Sequence, residues 1–249
     1  AEPEAVVRSG KHLVPRLTAA PLGMATRLAG CDGGHVVTGG TSGLGLVTGR
    51  WLAQRGARRL VLASRGSALA RDALGEWEAL QVVDATASVD VCDASEATHI
   101  RRLSTLVPTP AGVWHAAGVL ADAVLPKQHA RSLACVYAPK AHGACSLHSA
   151  SSAVSVSTFA AFSSVTALLG GAGQANYAAA NTCLDALATC RRLHGRPAVS
   201  VQWGAWAEAG MATRSAANKR LAAMEALSGF GRISVADGLS ALGMAVMQE

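Results

Sequence analysis

From His35 onward the sequence alternates short apolar runs with helix-length amphipathic stretches, and few architectures accommodate that rhythm. HVVT (35–38), RRLVLAS (58–64), ATASVDV (85–91), AGVWHAAG (111–118), VSTFAAFSSV (156–165) and PAVSVQWG (197–204) read as six strands. Between them, LGLVTGRWLAQRG closed by Gly56, then residues 68–80, 95–106, 127–149 and 174–195 read as helices. A strand followed by a helix and another strand forms a right-handed crossover with the two strands parallel. The fold expected is therefore α/β, a doubly wound parallel sheet. Residues 1–30 lack this alternation and carry Pro15 and Pro21, which predicts a strand and connector outside the main sheet.

Composition agrees with such a fold. Half of the 249 residues are hydrophobic and 15% are charged, enough for a sizeable core and too apolar for wholesale disorder. No run approaches the ~18 apolar residues of a membrane span, and AEPEAVVRSGKH has no signal-peptide pattern, so the expected location is cytoplasmic, without membrane contact. Lys and Arg outnumber Asp and Glu by 22 to 16, giving +6, and 18 of the 22 are Arg. Such a surface suits a phosphorylated cofactor or an acidic protein. Nucleic acid is the weaker reading, because the basic residues occur only in isolated pairs without interleaved aromatics. The six Cys show neither C-x-x-C nor a zinc spacing, which predicts ordinary thiols and no metal site.

The chemistry concentrates in a few places. Thr38, Gly39, Gly40, Thr41, Ser42, Gly43, Leu44 and Gly45 lie between the first strand and the first helix. Missing side chains there let the backbone approach a pyrophosphate, which a helix N-terminus attracts. The second strand ends at Ser64-Arg65, where an acid would hold a ribose hydroxyl and an arginine accommodates a 2′-phosphate, favouring NADPH. Asp90-Val91 suits the flank of an adenine, as it suits a solvated turn. His115, Ala116, Ala117 and Gly118 place small residues where a flat cofactor passes, or where packing demands them. Tyr177 and Asn181, four apart, share a helix face, and Ser164 ends strand five near that helix's start. A phenol of pKa near 10 donates a proton poorly unless a cation stands beside it, and Lys140, one of four lysines, is the candidate.

These motifs, with HAAGVLAD, APKAHGA, FSSVTALLGGAGQANYAAAN and VQWGAWAEAGMA, resemble the short-chain dehydrogenase/reductase superfamily. Within it they resemble the ketoreductase domains of modular (type I) polyketide synthases, over roughly residues 1–245. The resemblance implies a Rossmann-like fold and NADPH-dependent reduction of a β-ketoacyl thioester. The substrate would be carried by phosphopantetheine on an acyl carrier protein, beside neighbouring synthase domains. It implies Tyr177, Ser164, Lys140 and Asn181 as the catalytic set, with Lys and Asn exchanged relative to most of the superfamily. Leu120, Asp122, Leu169, Gln174, Trp203 and Gly204 then fall at substrate and stereocontrol positions. Asp122 keeps the second acid of a Leu-Asp-Asp motif and Leu169 replaces the Trp of the opposite hand, which implies a D (3R) hydroxyl. Gln174, where a His would accompany α-epimerisation, implies none.

By the same likeness residues 1–30 are the tail and linker of a structural subdomain, most of it absent. Residues 31–249 are the catalytic domain with a lid near 205–231, lacking the family's last apolar strand, as in an excised catalytic half. The alternatives are a fatty-acid-synthase-type or free-standing reductase, and a catalytically silent scaffold domain.

Overall fold

The computed structural model describes residues 6–8, 11–13, 33–70, 73–210 and 231–247. Its centre is a six-stranded, all-parallel sheet of β3 (Gly34–Thr38), β4 (Arg59–Ser64), β5 (Thr86–Val91), β6 (Pro110–His115), β7 (Thr158–Ser164) and β8 (Val199–Trp203). The spatial order is β5-β4-β3-β6-β7-β8, so the winding reverses between β3 and β6 and a crevice opens at their C-terminal ends. Two three-residue strands, β1 (Val6–Arg8) and β2 (Lys11–Leu13), pair antiparallel with Val6 opposite Leu13. The single strand expected there is thus a hairpin, its arms separated in sequence by Ser9 and Gly10.

Both faces of the sheet are covered, and successive strand residues therefore enter different cores. Val37, Leu60, Leu62, Trp114, Phe162 and Trp203 pack with α1 (Gly43–Gln54), α2 (Leu74–Gln81) and α8 (Val235–Met247). Val36, Val61, Val113 and Phe159 pack on the opposite face with Ile100 and Leu103 of α3 (Ala97–Leu106) and Leu147 of α5 (Gly143–Ala150). An Arg50–Glu76 ion pair ties α1 to α2.

The stretch expected as one helix over 127–149 is segmented. A 3₁₀ turn at Leu125–Lys127 precedes α4 (Ala130–Tyr137), then a π turn spans Ala138–His142 before α5 begins. Pro139 explains the widening: it has no N–H for the usual i→i−4 bond and its ring crowds the preceding turn. The N–H of Gly143 accordingly reaches back five residues to the Ala138 carbonyl. A short α6 (Thr166–Leu169) was not anticipated, while α7 (Ala175–Leu193) matches the expected long helix. Most of the expected lid falls on residues 211–230, outside the described residues.

The two-sided core predicts unequal costs of truncation. Leu62→Ala, at a fully buried site between β3, β5 and α1, should cost about 2–5 kcal/mol in denaturant unfolding. Val82→Ala, at a residue 86% exposed, should stay within about 0.5 kcal/mol.

Candidate active site

The crevice at the reversal point begins with the turn from β3 into α1. Gly39 and Gly43 have φ of 69° and 49°, left-handed conformations that side chains resist. A Cβ on Gly45 would run into the Gly39 carbonyl, so the turn closes only without one. Ser42 is the extended N-cap of α1, its hydroxyl makes no cap bond, and the first turn holds no acidic residue. The leading N–H groups of α1 therefore face the crevice as donors without an anionic side chain of their own, a donor set that fits a dinucleotide pyrophosphate. Thr38 and Thr41 are buried beneath this turn, and the Leu44 carbonyl accepts from the Thr48 hydroxyl at 2.7 Å.

Arg65 is exposed directly after β4 and Ser64. Asp93, beyond β5, lies in its field. Burial alone would raise the Asp93 carboxyl, but hydrogen bonds from the Ser95 hydroxyl and N–H, together with Arg65, hold it below its ordinary value. At the end of β5, Arg102 donates to both oxygens of Asp90, at 2.9 and 2.7 Å, and to the Val91 carbonyl at 2.6 Å. The Asp90–Val91 tip is thereby fixed by α3.

Lys140 is the centre of the cluster. Its side chain leaves the π turn and is 3% exposed; Nζ donates to the Phe162 carbonyl of β7 at 2.9 Å and stands 5.2 Å from the Tyr177 ring centroid. Gly118 makes room for it, since a Cβ there would stand 2.9 Å from Lys140 Cε. His115 has no exposed surface: its ring bridges the Thr38 hydroxyl at 2.7 Å and the Lys140 carbonyl at 3.0 Å. Of the HAAG residues expected at the cofactor, His115 thus braces the π turn from within the sheet and offers no ring surface to the crevice. Ala116 donates its N–H to the Thr38 carbonyl at 3.2 Å, keeping β6 and the glycine turn in register, and Ala117 packs into the core on the α3 side.

Tyr177 and Asn181 are brought together on the buried face of α7, and the Asn181 amide donates to the Tyr177 carbonyl at 2.9 Å. The Asn181 Oδ1 is buried without a partner among the described residues. Burial raises the Tyr177 phenol above its ordinary value, with Asn181 opposing and Asp122 adding to the rise. Ser164 ends β7, and its Oγ accepts from the Thr166 N–H at 3.2 Å and the Thr166 hydroxyl at 3.0 Å.

Asp122 and Gln174 also meet, the Gln174 amide lying 3.4 and 3.3 Å from the two carboxylate oxygens. Leu120 packs against Tyr177, and Leu169 is exposed at the end of α6. Trp203 differs from expectation, because its ring packs into the core against Phe162 and Trp206, with centroids 5.9 and 5.0 Å away, and does not line the crevice. Gly204 follows it, lying close to Ile233. Sequence reasoning missed Asn176. Its side chain is buried, donates to the Ala121 carbonyl at 2.9 Å and accepts from the Tyr177 N–H at 2.8 Å, tying the 118–124 loop to α7. A polar residue on the buried face beside Tyr177 was the available signal.

A parallel sheet wound in this order, with a glycine-rich turn after its first strand and a buried lysine against a tyrosine, has the architecture of the short-chain dehydrogenase/reductase class. The chain belongs to the KR domain family, which matches residues 33–208. It is 46% identical over 195 residues, 76% of its length, to polyketide synthase GfsB of Streptomyces halstedii, and 38% identical over 245 residues, 97% of its length, to GfsA of the same organism. It spans only 4% and 3% of those two synthases. A solved A1-type ketoreductase superposes with a TM-score of 0.88 at 34% identity, over 98% of this chain and 52% of that one. The chain is similar to ketoreductase domains of modular polyketide synthases in both sequence and fold. Among the described residues no helix is long and apolar enough to cross a membrane.

Burial pushes the Lys140 ammonium down from 10.5 to about 7, with Asp185 opposing. Between about pH 7 and pH 9 the unfolded chain then binds more protons at this site than the folded one. The cost of the buried ammonium grows as pH falls from the unfolded value toward the folded one, where it is complete, and shrinks as pH rises. Unfolding titrations should therefore show wild type gaining stability relative to Lys140→Met across that window. Parallel curves would mean that the ammonium is not buried as described.

Proposed function

We propose that the chain reduces a β-ketoacyl thioester, delivered by an acyl carrier protein in polyketide assembly, to the D (3R) β-hydroxyacyl thioester with NADPH. The observation that carries this reading is the Lys140 ammonium buried against the Tyr177 ring in a fold that also carries a glycine turn at the start of α1. The glycine turn and the N-terminus of α1 would hold the diphosphate, and Arg65 the 2′-phosphate. Bound NADPH supplies hydride to the β-carbon.

The chain's own residues manage the oxygen and its proton. Tyr177 stands as the proton donor to the developing alkoxide, and Ser164 hydrogen-bonds the same oxygen. Lys140, beside the ring, favours the phenolate that donation leaves behind and so lowers its cost. The phenol is held protonated by burial before reaction, which suits a group that must carry its proton until needed. Asn181, whose buried Oδ1 has no partner among the described residues, suits a water that returns the proton. Asp122, steadied by Gln174 on one flank of the cleft, and Leu169 in place of a Trp support the D hand. The +6 charge suits an acidic carrier domain.

Tyr177→Phe should remove most turnover of a β-ketoacyl thioester while NADPH binding, followed by fluorescence titration, stays within about twofold, because the ring is retained. Chiral chromatography of the wild-type product should give mainly the D hydroxyl; mainly L product overturns the stereochemical assignment. Arg65→Ala should weaken NADPH binding by about tenfold or more through loss of a charge-assisted phosphate contact, with NADH little affected. Equal weakening of both would remove Arg65 from the phosphate site.

A further inference from the structure

Ser164 owes its direction to a neighbour. A serine hydroxyl has two acceptor lone pairs and one proton to give. Around Ser164 one residue makes both contacts: the Thr166 N–H donates to Oγ at 3.2 Å, and the Thr166 hydroxyl stands 3.0 Å from the same oxygen. Ser164 is 8% exposed, and no hydrogen bond donated by its hydroxyl is found among the described residues. With the Thr166 hydroxyl as the donor of the second contact, both lone pairs are engaged and the Ser164 proton is left for a group arriving in the cleft. Two donated hydrogen bonds also polarise the O–H and strengthen it as a donor.

We propose that the Thr166 hydroxyl donates to Ser164, which makes Thr166 a positioning residue that holds Ser164 as a hydrogen-bond donor to the reacting ketone oxygen. The assignment rests on the reduction proposed above and adds the reason Ser164 points its proton at substrate. Thr166 does this through two atoms. Its backbone N–H is fixed by the turn into α6, where Leu168 and Leu169 donate back to the Val165 carbonyl at 3.0 and 2.9 Å. Its hydroxyl is the removable part. Without that hydroxyl one lone pair of Ser164 is released, and its proton is no longer confined to the cleft.

A double-mutant cycle with Ser164 separates this role from a structural one. Thr166→Val, which keeps the shape and deletes the hydroxyl, should lower kcat for a β-ketoacyl thioester by about five- to tenfold, the size of one hydrogen bond. KM and the NADPH dissociation constant should hold within about twofold, since Thr166 touches neither by this assignment. Thr166→Ser should restore most of the rate. In a Ser164→Ala background, Thr166→Val should cause no further loss. Thr166→Ala carries the same expectations should the valine variant fold poorly. Full kcat in Thr166→Val, or an equal loss in the Ser164→Ala background, overturns the assignment and leaves the proposed reaction standing. A folded wild type that cannot reduce the thioester overturns the reaction and this assignment together.

Discussion

Keeping an ammonium group almost wholly out of water is the most expensive thing this fold does, and much of its local architecture answers that demand. Lys140 needs an acceptor and receives the Phe162 carbonyl from the middle of the sheet. It needs space beside β6, which the missing side chain of Gly118 leaves. Its backbone must be presented at an angle a regular helix would not give, and Pro139 opens the π turn that gives it. His115 then fixes that turn from below, its neutral ring caught between Thr38 and the Lys140 carbonyl. Burial pushes His115 down to about 4, so it stays uncharged beside a cation. Asp185, two turns of α7 beyond Tyr177, supplies opposing charge while its carboxylate accepts from Ser200 and Gln202 of β8.

The same helix gathers the rest of the site. Asn176 reaches the Ala121 carbonyl of the 118–124 loop, the Tyr177 ring lies against the lysine, and the Asn181 carbonyl accepts from Ser163 on β7 at 3.3 Å. Farther along, buried Arg191 lies 4.1 Å over the Phe159 ring and donates to the Pro197 carbonyl. One element thus links the crevice to both neighbouring strands, and its rotation is over-determined.

Much of this was readable from the chain. The six strands and their helices follow from apolar periodicity, and the glycine turn from its place between a strand and a helix. Most boundaries moved by a residue or two, but the fourth strand ends at His115, three residues early, and α2 begins at Leu74, six residues late, because ladder pairing and packing set the ends. What stayed hidden depended on three-dimensional neighbours. Pro139 signalled a break in a helix, though not that the break would be a π turn. His115 looked like a crevice residue, but the inward direction of β6 at that position buries its ring. Trp203 sat in a motif associated with substrate, yet Phe162 and Trp206 offered its indole a packed aromatic site. Asn176 showed only as a polar residue on the buried face beside Tyr177, and Thr166 gave no pattern, since its two contacts to Ser164 form within one turn.

Lys140 and Tyr177 are contributed by separate helices, thirty-seven positions apart in the chain. The partnership is therefore written in space and not as an interval along one helix. A search keyed to a lysine at fixed spacing after the tyrosine would find Asn181 in that place and pass over the chain. The cation has in effect a different postal address for the same destination. The phenol therefore receives its cation from the π turn, while the place four residues after it holds the Asn181 amide.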